Sequence, residues 1–255
     1  MATKISASLQ ALSRELRYEP TTKRIRALLG QAVALDSRRA VIVWEPRRVV
    51  PCYAVPAEDV AATLSPATTT PADGASPPVL HPGIPFSRHS TPGAALDVSA
   101  GGQLAAGDAF RLNDPDLEGY VAFNSEAFDW LEEDDPVQSH PRDPFHRVDL
   151  RHSSRRVKVT AGDAVLAESA EPMMVFETNL PERIYVPPAD VNWDLLTPTD
   201  SATLCPYKGT ASYWKLAGGP DGDVAWSYQN PLPEAGELAG YVCFYDNLVD
   251  VEEIR

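Results

Sequence analysis

The sequence predicts a mainly β protein built as two tandem small antiparallel β domains, preceded by a short N-terminal helix. The first observation behind this is a repeat. KRIRALLGQAVALDSRRAVIVWE from Lys23 reads against RRVKVTAGDAVLAESAEPMMVFE from Arg155 at one constant offset, so Gly30 meets Gly162, Ser37 meets Ser169 and Glu45 meets Glu177. The match runs on through Tyr53 with Tyr185, Pro66 with Pro198, and Gly119-Tyr-Val-Ala-Phe123 with Gly240-Tyr-Val-Cys-Phe244. Second, the apolar runs are short, rich in β-branched and aromatic residues, and bounded by Gly, Pro, Asp or Asn, as half-buried strands are. Third, 24 prolines spread through 255 residues forbid long regular elements, because each removes an amide donor and fixes its own φ.

Taken in order, residues 1–20 hold the helix: Ile5, Leu9, Leu12 and Leu16 fall on one helical stripe, which predicts an amphipathic segment over 5–17 docked on the first repeat. A partner-binding helix is the alternative. Residues 21–135 form the first repeat. The Pro/Ala/Thr/Gly-rich tract from Pro66 to Pro85 has no counterpart in the second copy and reads as a flexible surface insertion, or alternatively as a lid over a site. Residues 136–153, with Pro136, Pro141 and Pro144 around Arg142-Asp143-Pro144-Phe145-His146-Arg147, read as an ordered strap across both domains.

Residues 154–255 form the second repeat. Strands are expected at Arg156–Thr160, Ala164–Glu168, Met173–Glu177, Ile184–Val186, Tyr213–Leu216, Ala225–Tyr228 and Tyr241–Tyr245, with single helical turns near Asp190–Leu195 and Glu234–Leu238. Gly162 and the run Gly218-Gly219-Pro220-Asp221-Gly222-Asp223 mark turns.

An excess of 36 acidic over 22 basic residues, a formal charge of −14, repels phosphate backbones and anionic bilayers, so neither nucleic acid nor a membrane is an expected partner. The N-terminal segment has no continuous apolar core of the signal-peptide kind, and no run is long enough to span a bilayer. Cys52, Cys205 and Cys243 make no close pair, which points to a reducing cytoplasm.

The second repeat holds reactive residues where the first has Thr91-Pro92-Gly93. Glu177, Tyr185-Val-Pro-Pro-Ala-Asp-Val191, Cys205-Pro-Tyr-Lys-Gly209 with Ser212-Tyr213-Trp214, Ala225-Trp-Ser-Tyr228 with Pro231-Leu-Pro-Glu234, and Gly240-Tyr-Val-Cys-Phe-Tyr245 resemble the domain of unknown function 427 family. The resemblance covers nearly all of 155–255, and 23–133 is similar to a diverged, degenerate copy. It implies a small β domain akin to the tent-like β folds, and a fold does not fix a reaction. Some tent-like relatives hold zinc with four cysteines, whereas this repeat has only Cys205 and Cys243. The family is also labelled nucleotidyltransferase-like, but no Gly-rich phosphate loop occurs, and Asp221-Gly222-Asp223 sits in a turn.

Lys208 and Cys205 lie three apart in a Pro-containing turn, close in sequence to Tyr207, Tyr213, Trp214, Trp226 and Tyr228. A lysine among aromatic faces can anchor an anionic or carbonyl-bearing ligand or, desolvated, act as base or nucleophile; a cysteine beside a cation can be a nucleophile. The plainer reading has Cys205 packing as a small hydrophobe and Lys208 capping a turn or pairing with Glu177. Glu177 ends an apolar run exactly as Glu45 does, and is a candidate acid or base, or a structural partner of Arg183 or Lys208. His89, beside the degenerate turn, could replace the lost lysine; a surface-loop histidine is the alternative.

The expected function is binding of a small organic metabolite, with a cofactor-independent, non-redox step of lyase, isomerase, cyclase or hydrolase type in the second repeat. Lys208, Glu177 and Cys205 are the catalytic candidates, and Tyr185, Tyr207, Tyr213, Trp214, Trp226, Tyr228 and Arg183 the substrate-binding ones. No cofactor or metal is expected. The alternatives are a non-catalytic binding or regulatory module and, third, a nucleotidyltransferase-like activity. The oligomeric state is left open.

Overall fold

The computed structural model describes residues 2–68 and 77–254 and divides into two compact units, Met1–Asp143 and Pro144–Arg255. In the first unit a helix, α1 (Ile5–Leu12), precedes strands β1 (Arg17–Pro20), β2 (Ile25–Leu29), β3 (Ala32–Ser37), β4 (Val41–Trp44), β5 (Cys52–Pro56), β6 (Thr63–Pro66), β7 (Gly93–Ala100), β8 (Gln103–Leu112), β9 (Tyr120–Phe123), β10 (Asp129–Glu132) and β11 (Asp135–Pro136). The second unit contains β12 (Val148–His152), β13 (Arg156–Ala161), β14 (Ala164–Ser169), β15 (Met173–Glu177), β16 (Arg183–Val186), β17 (Leu196–Cys205), β18 (Gly209–Leu216), β19 (Ala225–Tyr228), β20 (Val242–Phe244) and β21 (Asp250–Ile254).

The sequence repeat is a repeat of topology. A seven-stranded antiparallel sheet runs β1-β4-β5-β9-β8-β7-β6 in the first unit and β12-β15-β16-β20-β19-β18-β17 in the second. The smaller sheets, β11-β10-β2-β3 and β14-β13-β21, match strand for strand except that β11 has no counterpart. Details recur as well. Both β2–β3 and β13–β14 hairpins turn at a glycine with positive φ, Gly30 and Gly162, and both shift register at the matched positions Ala27/Leu28 and Val159/Thr160.

Alternation along the strands decides what each face of a sheet carries. In the second unit Val186, Val242, Phe244 and Trp214 pack with Val157, Val159 and Leu166 of the smaller sheet. Their strand neighbours Tyr185, Cys243 and Tyr213 enter a separate core with Met173, Val175, Tyr228 and Leu238. In the first unit Ile42, Trp44, Tyr53, Val55, Val121 and Phe123 pack with Ile25, Ala27 and Leu35. Val41, Val43, Cys52, Ala54, Phe110 and Ala122 form the other core.

One sequence match is out of structural register. Val41 pairs with Ala54, whereas its counterpart Met173 pairs with Tyr185, because the first unit's connection is one residue longer. Ala54, and not Tyr53, therefore stands at the position of Tyr185. A slip of one residue moves a side chain to the opposite face, and the two tyrosines accordingly enter different cores.

Four other expectations need correction. The helix ends at Leu12, and Ile5, Leu9 and Leu12 are exposed; of the stripe only Leu16, beyond the helix, packs against a core. Residues 17–20 form an edge strand on β4. Likewise Val148–His152, read as strap, is the edge strand on β15. Of the tract from Pro66 to Pro85, residues 69–76 lie outside the described residues. Its far end is not a loose surface loop: Leu80 is fully buried and exchanges backbone hydrogen bonds with Arg47 and Val49, at 2.9 and 3.0 Å.

Candidate functional site

The candidate residues of the second unit gather at one corner of its large sheet. The hairpin from β17 to β18 pairs Cys205 with Gly209 and leaves Pro206, Tyr207 and Lys208 in the turn. Gly209 makes the turn possible, with φ +99°, a backbone conformation that side chains rarely adopt. The Lys208 carbonyl accepts from Leu232 N at 3.0 Å, which fixes the turn to the segment leading into the last helical turn.

Lys208 is buried with its Nζ 2.5 Å from Glu177 Oε1, and the two side chains are only 7% and 8% exposed. The ammonium also lies 5.9 Å from the centre of the Tyr228 ring. The other carboxylate oxygen, Oε2, faces His146 Nε2 at 3.6 Å, and the imidazole stacks on Tyr207 with ring centres 4.4 Å apart. That His146 Nε2 is buried without a hydrogen-bond partner among the described residues. Burial disfavours the Glu177 carboxylate, but the neighbouring His146 and Lys208 outweigh it and hold the carboxyl below its ordinary range.

Behind this cluster Tyr185 accepts a hydrogen bond from Trp226 Nε1 at 3.0 Å, and Tyr213 shares one with Thr203 at 2.6 Å. Burial drives the Tyr185 and Tyr228 phenols well above the usual tyrosine range, so both stay protonated. Arg183 pairs with Asp246 at 3.2 Å and lies over the Trp226 ring at 5.9 Å. It is not the partner of Glu177.

The structure thus brings together Lys208, Glu177, Tyr207 and Tyr228, with Tyr185, Tyr213 and Trp226 in the adjoining core. It does not bring Trp214 among them. Trp214 follows Tyr213 on β18, so strand alternation sends it to the opposite face, against Trp193 at 5.6 Å. Cys205 is free, half-buried and packed against the tyrosine core, in keeping with a small hydrophobe. Asp221 pairs with Lys215 and Asp223 with Thr199, both at 2.7 Å, so the carboxylates of the D-x-D turn tie it to its neighbouring strands.

The sequence places His146 in the strap, expected with Arg142 or the Pro66–Pro85 tract near the mouth of the site, and not as a partner of Glu177. Its approach to Glu177 depends on where the chain enters β12, and no local motif encodes that.

The first unit has its own version of this corner. Counting along the paired strands, Leu96 stands at the position of Trp214, and six residues back Ser90 stands at that of Lys208. The sequence alignment of the lysine turn with Thr91-Pro92-Gly93 is therefore two residues out. Ser90 N donates to Glu45 Oε2 at 2.7 Å, and His89 Nδ1 meets Oε1 at 2.9 Å. The His89 side chain is 9% exposed. It is no surface-loop residue; it takes the role of the missing lysine.

Residues 149–255 match the family described as Domain of unknown function (DUF427), and the second unit is a domain of that family. No curated protein matches the chain. Among the described residues no helix is long and apolar enough to cross a membrane.

Proposed function

We propose that the second unit binds a small organic metabolite at the Lys208–Glu177–His146 corner and carries out a cofactor-independent, non-redox step on it. The observation that carries this reading is the gathering of a buried lysine, carboxylate and histidine from three separate segments, with His146 Nε2 left without a hydrogen-bond partner among the described residues. Buried charges cost free energy unless fully paired, and such clusters are commonest where chemistry needs them. Lys208 would anchor an anionic or carbonyl group, Glu177 would take or give a proton, and Tyr207 and Tyr228 would flank the ligand. His146, held by one stacking contact and one carboxylate, is the group a ligand displaces on entry.

The test is a thermal-shift screen of organic acids and carbonyl compounds against the wild type and Lys208→Ala. A compound that raises the wild-type Tm and loses its effect in the variant supports the reading. Equal affinity for both proteins removes Lys208 as the anchor.

A second reading, a binding module without turnover, is favoured by the closure of the Lys208–Glu177 pair and by the exposed apolar side chains of Phe176 and Leu180 on either side of Glu177. On that reading no small molecule shifts the Tm, and Phe176→Ser with Leu180→Ser abolishes a protein interaction while leaving the fold intact.

A further inference from the structure

The corner of the first unit differs from its counterpart in one respect that the repeat does not explain. Both corners close with the same turn: Arg48 N donates to Glu45 O at 3.0 Å, and Leu180 N donates to Glu177 O at 3.1 Å. Arg47 and Asn179, one residue earlier, share a positive φ of 65° and 62°. At the fourth turn position, however, the second unit has an exposed leucine and the first an arginine whose side chain is 7% exposed.

Arg48 and His89 both face Glu45 Oε1, at 3.8 and 2.9 Å, so a guanidinium and an imidazole share one carboxylate in a chain of formal charge −14. Arg17 adds to the positive field, with its guanidinium over the ring of Trp44 at 5.6 Å and Nη2 donating to the Arg48 carbonyl at 3.4 Å. Arg48 spends Nη2 on the carbonyl of Arg88 at 2.6 Å. Its Nε is buried and lacks a hydrogen-bond partner among the described residues, and so does His89 Nε2. Most buried polar atoms are satisfied, so two orphans on neighbouring side chains that share one carboxylate call for a ligand group.

We propose that the first unit holds a binding site of its own, for the oxyanion of a small molecule bearing a carboxylate or phosphate group, with Arg48 and His89 as its recognition residues. Arg48 Nε–H is a charge-assisted donor suited to such an oxygen. In the complex both ring nitrogens would carry protons, Nδ1–H serving Glu45 and Nε2–H the bound oxyanion, so that the two anions bracket the ring. Phe110 stacks on the imidazole at 3.6 Å and Phe86 meets it edge-on at 5.0 Å, fixing the direction in which Nε2 points. This site is independent of the reading given for the second unit.

The experiment follows the ring nitrogens of His89 by NMR in the full-length protein labelled with 15N-histidine, the signals being assigned with His89→Gln. Sodium phosphate and sodium acetate are titrated separately at ionic strength matched with chloride. The expected result is a saturable shift of His89 Nε2 with at least one of the two, with millimolar or tighter affinity. Arg48→Lys, which keeps the charge but loses the Nε donor, should weaken it by about tenfold or more. Lys208→Ala should leave it unchanged. A response to phosphate alone or acetate alone assigns the chemical source. A His89 spectrum indifferent to both anions overturns the proposal without any variant, as a trapped water in the corner would produce. Unaltered affinity in Arg48→Lys, or a response lost in Lys208→Ala, overturns it equally.

Discussion

Glu45 and Glu177 stand at the same corner of two copies of one topology, and each is bound from the same place in the following hairpin by different chemistry. Each accepts at its carbonyl from the residue three further on, at 3.0 and 3.1 Å, and each side chain is almost closed to solvent. Glu45 receives an imidazole and a backbone amide, whereas Glu177 receives an ammonium and lies near an imidazole from another segment. The buried carboxylate is thus a property of the fold, and the group that answers it is the part that has diverged.

The Lys208–Glu177 pair makes the first prediction. Removing one member of a buried pair strands the other charge, so Lys208→Met and Glu177→Gln should each lower stability by about 3–5 kcal/mol, and the double variant by clearly less than their sum. Urea unfolding of the four proteins measures this. Strict additivity would show that the two groups are not energetically coupled.

The same pair sets the response to acid. Although burial pushes the Glu177 carboxyl upward, His146 and Lys208 bring it below its unfolded value. Its contribution is therefore complete above the unfolded carboxyl value and is lost as pH falls through the lower folded one. From about pH 5 downward, wild-type stability should fall more steeply than that of Glu177→Gln. The exposed carboxylates are common to both proteins and cancel in the difference. Parallel acid limbs would contradict the assignment.

Much of this architecture is legible in the sequence because both copies keep their buried strands. Arg156–Ala161, Ala164–Ser169 and Met173–Glu177 lie where runs of Val, Ala and Met predict them. The strands that escape are edges. Leu196–Cys205 is mostly exposed and contains Pro198, and Asp250–Ile254 carries three acidic residues, so neither shows the apolar run of a buried strand. Local periodicity cannot see the one-residue insertion that separates Tyr53 from Tyr185. Lys208 and Glu177 are visible as candidates from their motif and repeat, and His89 from its place beside the degenerate turn, but the contacts of His146 with Glu177 and of His89 with Glu45 come only from tertiary placement.

Cysteine reactivity should follow burial. Burial pushes the Cys52 thiol up to about 12, with Glu45 adding to the effect and Arg48 opposing it, and drives Cys243 higher still. Cys205 is free and half-buried. Iodoacetamide labelling of the native protein at pH 8, read by mass spectrometry, should modify Cys205 first, with Cys52 and Cys243 reacting only as the chain unfolds. Labelling of all three at similar rates would contradict the packing described.

The two tyrosines that sequence aligns and structure separates should also behave differently. Tyr53 donates its hydroxyl to Glu132, a carboxylate also bound by Lys23, so Tyr53→Phe leaves an acidic group short of one donor. Tyr185→Phe leaves only the neutral Trp226 Nε1–H unpaired. The first should cost about 1–2 kcal/mol and the second about 1 kcal/mol or less, by chemical denaturation. A larger loss in Tyr185→Phe would reverse the ranking of these bonds.

Gly209 links fold to site and gives the last prediction. It sits at φ +99° immediately after Lys208, and an added Cβ would lie 3.4 Å from Asn230 O, 3.5 Å from Leu232 N and 3.7 Å from Leu232 Cγ. Gly162 has φ +57° with nothing within 4 Å of the corresponding point. Alanine at Gly162 meets the left-handed penalty of about 1–2 kcal/mol, whereas φ +99° at 209 lies beyond the left-handed well that side chains tolerate, so alanine there must also turn the backbone. Gly209→Ala should therefore be less stable than Gly162→Ala by about 1 kcal/mol. Because that turn of the backbone moves the hairpin that carries Lys208, it should also weaken any ligand response that depends on this lysine, while Gly162→Ala preserves it. Equal melting temperatures and equal ligand responses in the two variants would mean that the hairpin accommodates the methyl group without moving the ammonium.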